Sequence, residues 1–283
     1  MIDLHHHLLY DVDDGAADLE CSLAMAFEAA NEGVTHIVCT PHANERYPFR
    51  AELFGERFRV LQQELAGQMT LSLGCEMHIT AENVDAAVAN PFLYSINGKG
   101  YLLVEFDELV IPPVVDDELD RLLAAGYRLI IAHPERYPAV LSDPERLARW
   151  MRMGCLTQVT ASALTGRFGK AAQTLSNQML QRDWIHFLAT DAHNLSSRPP
   201  NLKAGYDYVA EHKGEETAQR LCVSNPQAVV DGASWPEQPE AVGLWEQIPL
   251  SVSSKRFSSP LKKSAEVGKS SARTGFFKRL FGR

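Results

Sequence analysis

The sequence predicts an α/β fold over residues 1–232: a parallel sheet, closed or nearly closed into a barrel. Three observations support this. Short β-rich runs alternate with runs of helical period, and several of the β-rich runs are apolar throughout, the pattern of a strand buried on both faces. In addition, about seven strand–helix units fit into the first ~230 residues, which favours a barrel over an open sheet.

Each element follows from its residues. Ile2 to His5 opens as a strand, and Asp18 to Asn31 reads as a helix on which Leu19, Leu23, Phe27 and Ala30 share a face, with Gly33 as its stop. Further strands are expected over THIVCTPH (35–42), MTLSLGCE (69–76), YLLVEF (101–106), RLIIAH (128–133), LTQVTA (156–161) and IHFLATDAH (185–193). Helices are expected over 54–65 and near 116–125, 144–153, 170–182 and 203–221. No short-period repeat is present.

Composition bounds the rest. With 45% hydrophobic and 22% charged residues in 283, the chain can build a substantial core. After Gly232 it changes character: residues 233–250 are rich in Pro, Trp and Glu and read as a linker or strap. Residues 251–283 hold nine Lys or Arg, one Glu and eight Ser, a charge of +8 that leaves −17 on residues 1–250. That basic tail is expected to be disordered. Phe276, Phe277, Leu280 and Phe281 with Lys278, Arg279 and Arg283 (within 276–283) fit weak contact with an anionic membrane surface. No run is long and apolar enough to span a bilayer, and MIDLHHH lacks the order of a signal peptide, so a cytoplasmic location is expected, peripheral at the inner face of the membrane if the tail makes that contact. The acidic body disfavours nucleic acid as a partner.

The chemistry is written at the strand ends. Six strands finish in metal-competent side chains: His5 and His7, His42, Glu76, Glu105, His133, and Asp191 with His193. In barrels of alternating strands and helices, such positions meet on one rim. Glu105 and Asp191 follow apolar runs, where burying a carboxylate is costly unless a cation offsets it. His5 and His7 project to one side of their strand, and His6 to the other. In DVDDG, Asp14 is assigned as a ligand and Asp11 and Asp13 to turn formation.

A cysteine nucleophile whose anion-binding loop closes with an arginine needs that arginine six residues beyond it. The residues six beyond Cys21, Cys39, Cys75, Cys155 and Cys222 are Phe27, Glu45, Ala81, Ala161 and Ala228, so that route is closed.

Taken together, DLHHHLLYDVDDGAADLECSLAMA, TPH, GCE, VEF, AHPERY and TDAH resemble the polymerase-and-histidinol-phosphatase (PHP) metallophosphoesterases. More narrowly, they are similar to the bacterial tyrosine phosphatases of capsule and exopolysaccharide synthesis. The resemblance covers roughly residues 1–230 and implies a distorted (β/α)7 TIM-like barrel, the PHP fold, holding three divalent ions. It implies that His5, His7, Glu76 and Asp191 hold one ion and that Glu76 bridges to a second, bound also by Glu105 and His133. Asp14, His42 and His193 would hold the third. Manganese is the first expectation, with iron or zinc as alternatives.

Such ions bring the pKa of water from about 15.7 towards 7 and neutralise phosphoryl oxygens. Arg136 and Arg198 are the candidate phosphate clamps. The implied substrate is a phosphotyrosine protein, in particular a bacterial tyrosine kinase, with Tyr47, Phe49, Phe106 and Tyr137 as candidates for the wall beside its ring. The alternatives are a histidinol-phosphate or other small-molecule phosphatase and, in a different class, a regulatory binding module.

Overall fold

The apolar runs do form parallel strands. The structure, a computed structural model, describes residues 1–90, 92–107 and 109–246. Its strands are β1 (Ile2–His6), β2 (His36–Cys39), β3 (His42–Ala43), β4 (Thr70–Leu73), β5 (Glu76–His78), β6 (Tyr101–Glu105), β7 (Arg128–Ala132), β8 (Leu156–Thr160) and β9 (Phe187–Ala189). Every ladder among them is parallel. The ladders form a three-stranded sheet, β1-β2-β4, and a six-stranded sheet, β3-β5-β6-β7-β8-β9. A single bridge from His6 to Ala192 links β1 to the residues just beyond β9.

Two expected strands are each broken in two. The run 35–42 is interrupted at Thr40 and Pro41, because proline cannot donate to a ladder. The run 69–76 is interrupted at Gly74 and Cys75, where the backbone passes so close to Ile96 that a Cβ on Gly74 would stand 2.8 Å from its side chain. The last expected strand, 185–193, shortens to β9, and its final residues turn out into a loop.

The first helix forms at Leu19–Asn31, and the Asp18 carboxylate accepts the Cys21 amide as its cap. Its buried stripe differs from the expected one: Ser22, Met25, Ala26 and Ala29 face inward, while Phe27 and Ala30 are exposed. Small residues and the hydrogen bond from Ser22 Oγ to Leu8 O (2.6 Å) let this face approach the sheet closely. The helix expected over 203–221 ends at Lys213, because Gly214 adopts a φ of 96°. Helices at Ala81–Ala89 and Asn225–Asp231 were not legible in the sequence.

Both faces of the strands are buried. Leu102, Val104, Leu129, Ile131 and Leu188 belong to the larger apolar cluster with the helices, whereas Leu4, Val38, Tyr101, Leu103, Ile130 and Phe187 form a second cluster with Val229 and Val230. Each such side chain contributes roughly 1.5–3 kcal/mol. Beyond the last helix the chain lies along the body: Trp235 packs 5.6 Å from Phe187, Trp184 Nε1 donates to Val242 O (3.0 Å), and Arg152 Nη1 donates to Leu244 O (2.9 Å). No helix among the described residues is long and apolar enough to cross a membrane. Residues 247–250, the basic tail 251–283 and its membrane-contact segment 276–283 lie outside the described residues.

Candidate metal centre

The parallel sheets deliver the strand-end side chains to one place. Four atoms converge most tightly. His5 Nε2 lies 3.2 Å from Glu76 Oε2, from Asp191 Oδ1 and from His7 Nε2. His7 Nε2 lies 3.3 Å from Glu76 Oε2 and 3.4 Å from Asp191 Oδ1. All four residues are buried.

The hydrogen bonds behind the two imidazoles decide what their inner nitrogens present. His5 Nδ1 meets Gln158 Oε1 at 2.8 Å and His7 Nδ1 meets Asp13 Oδ2 at 2.7 Å, so each Nδ1–H donates outward. Each Nε2 then turns a lone pair towards two carboxylate oxygens. Glu76 Oε2 and Asp191 Oδ1 are buried and have no hydrogen-bond partner. Four convergent acceptors repel one another unless positive charge sits among them, so this donor set fits a divalent cation.

Without an ion, protons answer the same demand. Burial pushes His7 down, but Asp13 and the neighbouring carboxylates outweigh it and raise His7 to about 10. Burial also opposes protonation of His42, yet Glu76, Asp14 and Glu105 push it up to about 12. Conversely, burial would raise Glu76 and Asp191, but His5 and His42 hold Glu76 well below the usual carboxylate range, as His5, Arg198 and Arg136 hold Asp191.

The remaining candidates surround this quartet. His42 Nδ1 is 3.1 Å from both Glu76 Oε2 and Glu105 Oε1, and its Nε2 is 3.4 Å from Asp14 Oδ1. His193 Nε2 is 3.6 Å from the same Asp14 oxygen, and burial with His7 nearby pushes His193 down to about 4. His133 Nε2 meets Glu76 Oε1 at 2.9 Å. Three groups are therefore compact enough to hold ions: His5, His7, Glu76, Asp191; His42, Glu76, Glu105; and His7, His42, His193. Seven of the nine expected residues fall in these groups, with His7, His42 and Glu76 each shared by two; Asp14 and His133 fall in none and border them through His42 and His193 and through Glu76. His6 stays out of every group and is buried, with both ring nitrogens unpartnered.

Backbone conformation aims two of these side chains. His133 and Asp191 have φ of 33° and 54°, the left-handed region that non-glycine residues enter at a cost of about 1–3 kcal/mol. His133 directly follows β7, and Asp191 follows β9 by two residues with its amide still donating to His5 O (2.9 Å). Gly15 shows a close approach of another kind: a Cβ would stand 2.4 Å from His7 O, so the acidic loop can lie against β1 only with glycine at that position.

Arg136 Nη1 and Arg198 Nη2 both donate to Asp191 Oδ2, leaving Oδ1 for the quartet. The Arg136 guanidinium lies 4.7 Å from the centroid of the Phe168 ring. Both arginines line a cavity of about 390 Å³ together with Asp14, His42, Glu105 and His133. Its apolar wall is Phe106, Leu109, Tyr137, Leu141 and Phe168. Of the four expected wall residues, Phe106 and Tyr137 are there. Tyr47 stacks on His42 at 6.1 Å instead, and Phe49 packs on Phe54 and Tyr94 away from this cavity.

Sequence reasoning missed the supporting residues. Asp13 does more than form a turn: it orients His7 and accepts the His42 amide (3.0 Å). Gln158 orients His5, and a polar side chain in the middle of the buried run LTQVT was the available signal. Asp3 ties β1 to the end of β9 by accepting the Thr190 amide at 2.9 Å and hydroxyl at 2.5 Å. Glu135 borders the cavity, accepts the Thr160 amide (3.0 Å), and is raised by burial to about 7.

Comparison with known proteins places this geometry. The chain is 31% identical over 239 residues to the tyrosine-protein phosphatase CpsB of Streptococcus pneumoniae, covering 81% of this chain and 98% of that protein. It is 33% identical over 227 residues to the tyrosine-protein phosphatase YwqE of Bacillus subtilis, covering 78% and 88%. A solved structure from the work on YwqE and CpsB, described there as unique metal-dependent tyrosine phosphatases, superposes with a TM-score of 0.79 at 30% identity, covering 86% of this chain and 99% of that one. A β-aspartyl dipeptidase from Fervidobacterium islandicum, 14% identical with a TM-score of 0.53 over 86% of this chain and 76% of its own, shares the fold alone. Residues 1–231 match the family model for capsular polysaccharide synthesis proteins, CpsB/CapC, and the chain belongs to that family.

Proposed function

We propose that the protein is a metal-dependent phosphatase that removes phosphate from phosphotyrosine in a protein, its substrate being a tyrosine kinase of capsule or exopolysaccharide synthesis. The observation that carries this reading is the buried quartet of lone pairs, whose Asp191 is also gripped by two arginines at the edge of a half-apolar cavity. Similarity to CpsB and YwqE supports the substrate class.

His5, His7, Glu76 and Asp191 would hold one divalent ion, Glu76, Glu105 and His133 a second, and Asp14, His42 and His193 a third, with manganese as the expected metal. Bound there, the ions supply charge that polarises the phosphoryl group and acidifies water. Arg136 and Arg198 take the phosphoryl oxygens and orient the ester. Phe106, Tyr137 and Phe168 flank the leaving aryl group and keep water from its face. No cysteine among the described residues lines the cavity, and burial pushes the Cys39, Cys75, Cys155 and Cys222 thiols up. The seven strand levels, counting β2 with β3 and β4 with β5, are read as a distorted barrel over residues 1–232. Residues 233–250 are read as a strap and 251–283 as a tail.

The test is elemental analysis of the purified protein together with assays on a phosphotyrosine peptide, a phosphoserine peptide and histidinol phosphate, before and after chelation. Stoichiometric manganese, iron or zinc, preference for the phosphotyrosine peptide, and loss of turnover on chelation are expected. Preference for histidinol phosphate would replace the protein substrate by a small molecule. Full activity after complete metal removal would end the reading.

A further inference from the structure

One apolar surface at the mouth of the cavity is used by nothing described so far. The loop between β6 and the helix Val114–Ala124 leaves Leu109 80%, Val110 63% and Val114 54% exposed. Single exposed aliphatic residues are ordinary, but three within six positions, the first of them lining the cavity, are not.

The loop is tied down on both sides of this tip. Asp107 Oδ1 accepts the Leu109 and Val110 amides at 2.8 and 3.0 Å. On the other side Ile111 is buried, and Arg146 donates to Ile111 O and, at 2.7 Å, to Pro112 O. Arg146 in turn lies 5.2 Å from the Trp150 ring, whose Nε1 donates to Asp116 (2.7 Å). A loose tip could fold its apolar side chains away from water; this one is held with them outward.

Leu109 also lines the cavity that contains Arg136 and Arg198. The apolar surface is therefore continuous with the place where the phosphoryl group is read. Resting on the phosphotyrosine reading, we infer that Leu109 and Val110 form a specificity surface for the substrate polypeptide, taking a bulky aliphatic or aromatic residue that adjoins the phosphotyrosine. A small phosphate ester ends inside the cavity, whereas a polypeptide must continue past its lining residue Leu109, next to which Val110 is exposed. Burial of one such residue against them supplies discrimination without new polar contacts.

The test uses the metal-loaded full chain and two phosphotyrosine peptides that differ only in leucine or serine beside the phosphotyrosine. Wild type is expected to favour the leucine peptide in kcat/KM by about tenfold, mostly through KM, the factor for one partly buried aliphatic contact. In L109S/V110S that ratio is expected to fall to about one. General damage to the enzyme would lower both rates and leave the ratio standing, so a structural role does not imitate the result. A wild-type ratio near one, or a tenfold ratio that survives in the variant, overturns this inference and leaves the phosphatase reading intact. Wild type inert on both peptides overturns the two together.

Discussion

Around Glu76 and Asp191 the candidate ligands are sealed, whereas Asp14, beside the mostly buried His42 and the buried His193, opens to solvent. His5, His7 and Glu76 are 0% exposed and sit at 3.2–3.4 Å in the quartet, each imidazole backed by its own partner. The Asp14 side chain is 47% exposed and stands 3.4 Å from His42 and 3.6 Å from His193. Coulomb interactions strengthen where water is excluded, so the sealed group is where charge imbalance is least tolerable. On the proposed reading, the difference separates a permanent ion seat from one that solvent and substrate can reach.

Three results would break or sharpen that contrast. The largest effect belongs to Asp191→Ala, which removes a quartet oxygen and the anchor of both arginines. Turnover of a phosphotyrosine peptide should fall by about a thousandfold or more, with less metal retained in the purified protein. A loss of only a few-fold would mean that the sealed group is not the working centre. Next, Gln158→Leu should weaken metal retention by about 10–100-fold in a chelator competition, because His5 loses the bond that fixes its tautomer. Asp14→Asn should release the ion that Asp14 would help to hold, while retention in the sealed quartet, which it does not touch, stays within about fivefold of wild type. Equal effects of the two substitutions would erase the distinction drawn here.

The smallest effect is thermodynamic. With His7 raised to about 10 and His42 to about 12, both imidazoles carry protons at pH 8 in the metal-free protein. A metal requires the lone pair, so uptake must release those protons, and affinity must rise as pH increases towards 10. His193, pushed down to about 4, has no proton to lose. Calorimetry of manganese binding in buffers of different ionisation enthalpy should report net proton release. An enthalpy independent of buffer would show that the nitrogens are already free.

What the sequence made legible follows from what each residue answers to. His5, His7, His133 and Asp191 announce themselves because a polar side chain that closes an apolar run is buried at a cost, and only a specific partner offsets it. The parallel sheets were legible for a related reason, since runs such as RLIIA are buried on both faces. Residues whose role depends on a distant partner were not. Gln158 matters through a residue 153 positions away, and Phe168 through Arg136, neither of which local pattern can express. Phe49 failed as a wall residue because its proximity in sequence to His42 does not fix which side of the loop its ring takes. The inward face of the first helix was misjudged because alanine and serine, not the larger side chains, fit closest to the sheet.

The shared grip of Arg136 and Arg198 on a single carboxylate oxygen has one further consequence. If the two arginines take the phosphoryl group as proposed, their cationic planes are aimed before any ester arrives, and Arg198 Nε has no hydrogen-bond partner. An incoming dianion therefore finds its receptors immobilised, and the rotational freedom of those long side chains has been surrendered during folding instead of at the moment of capture.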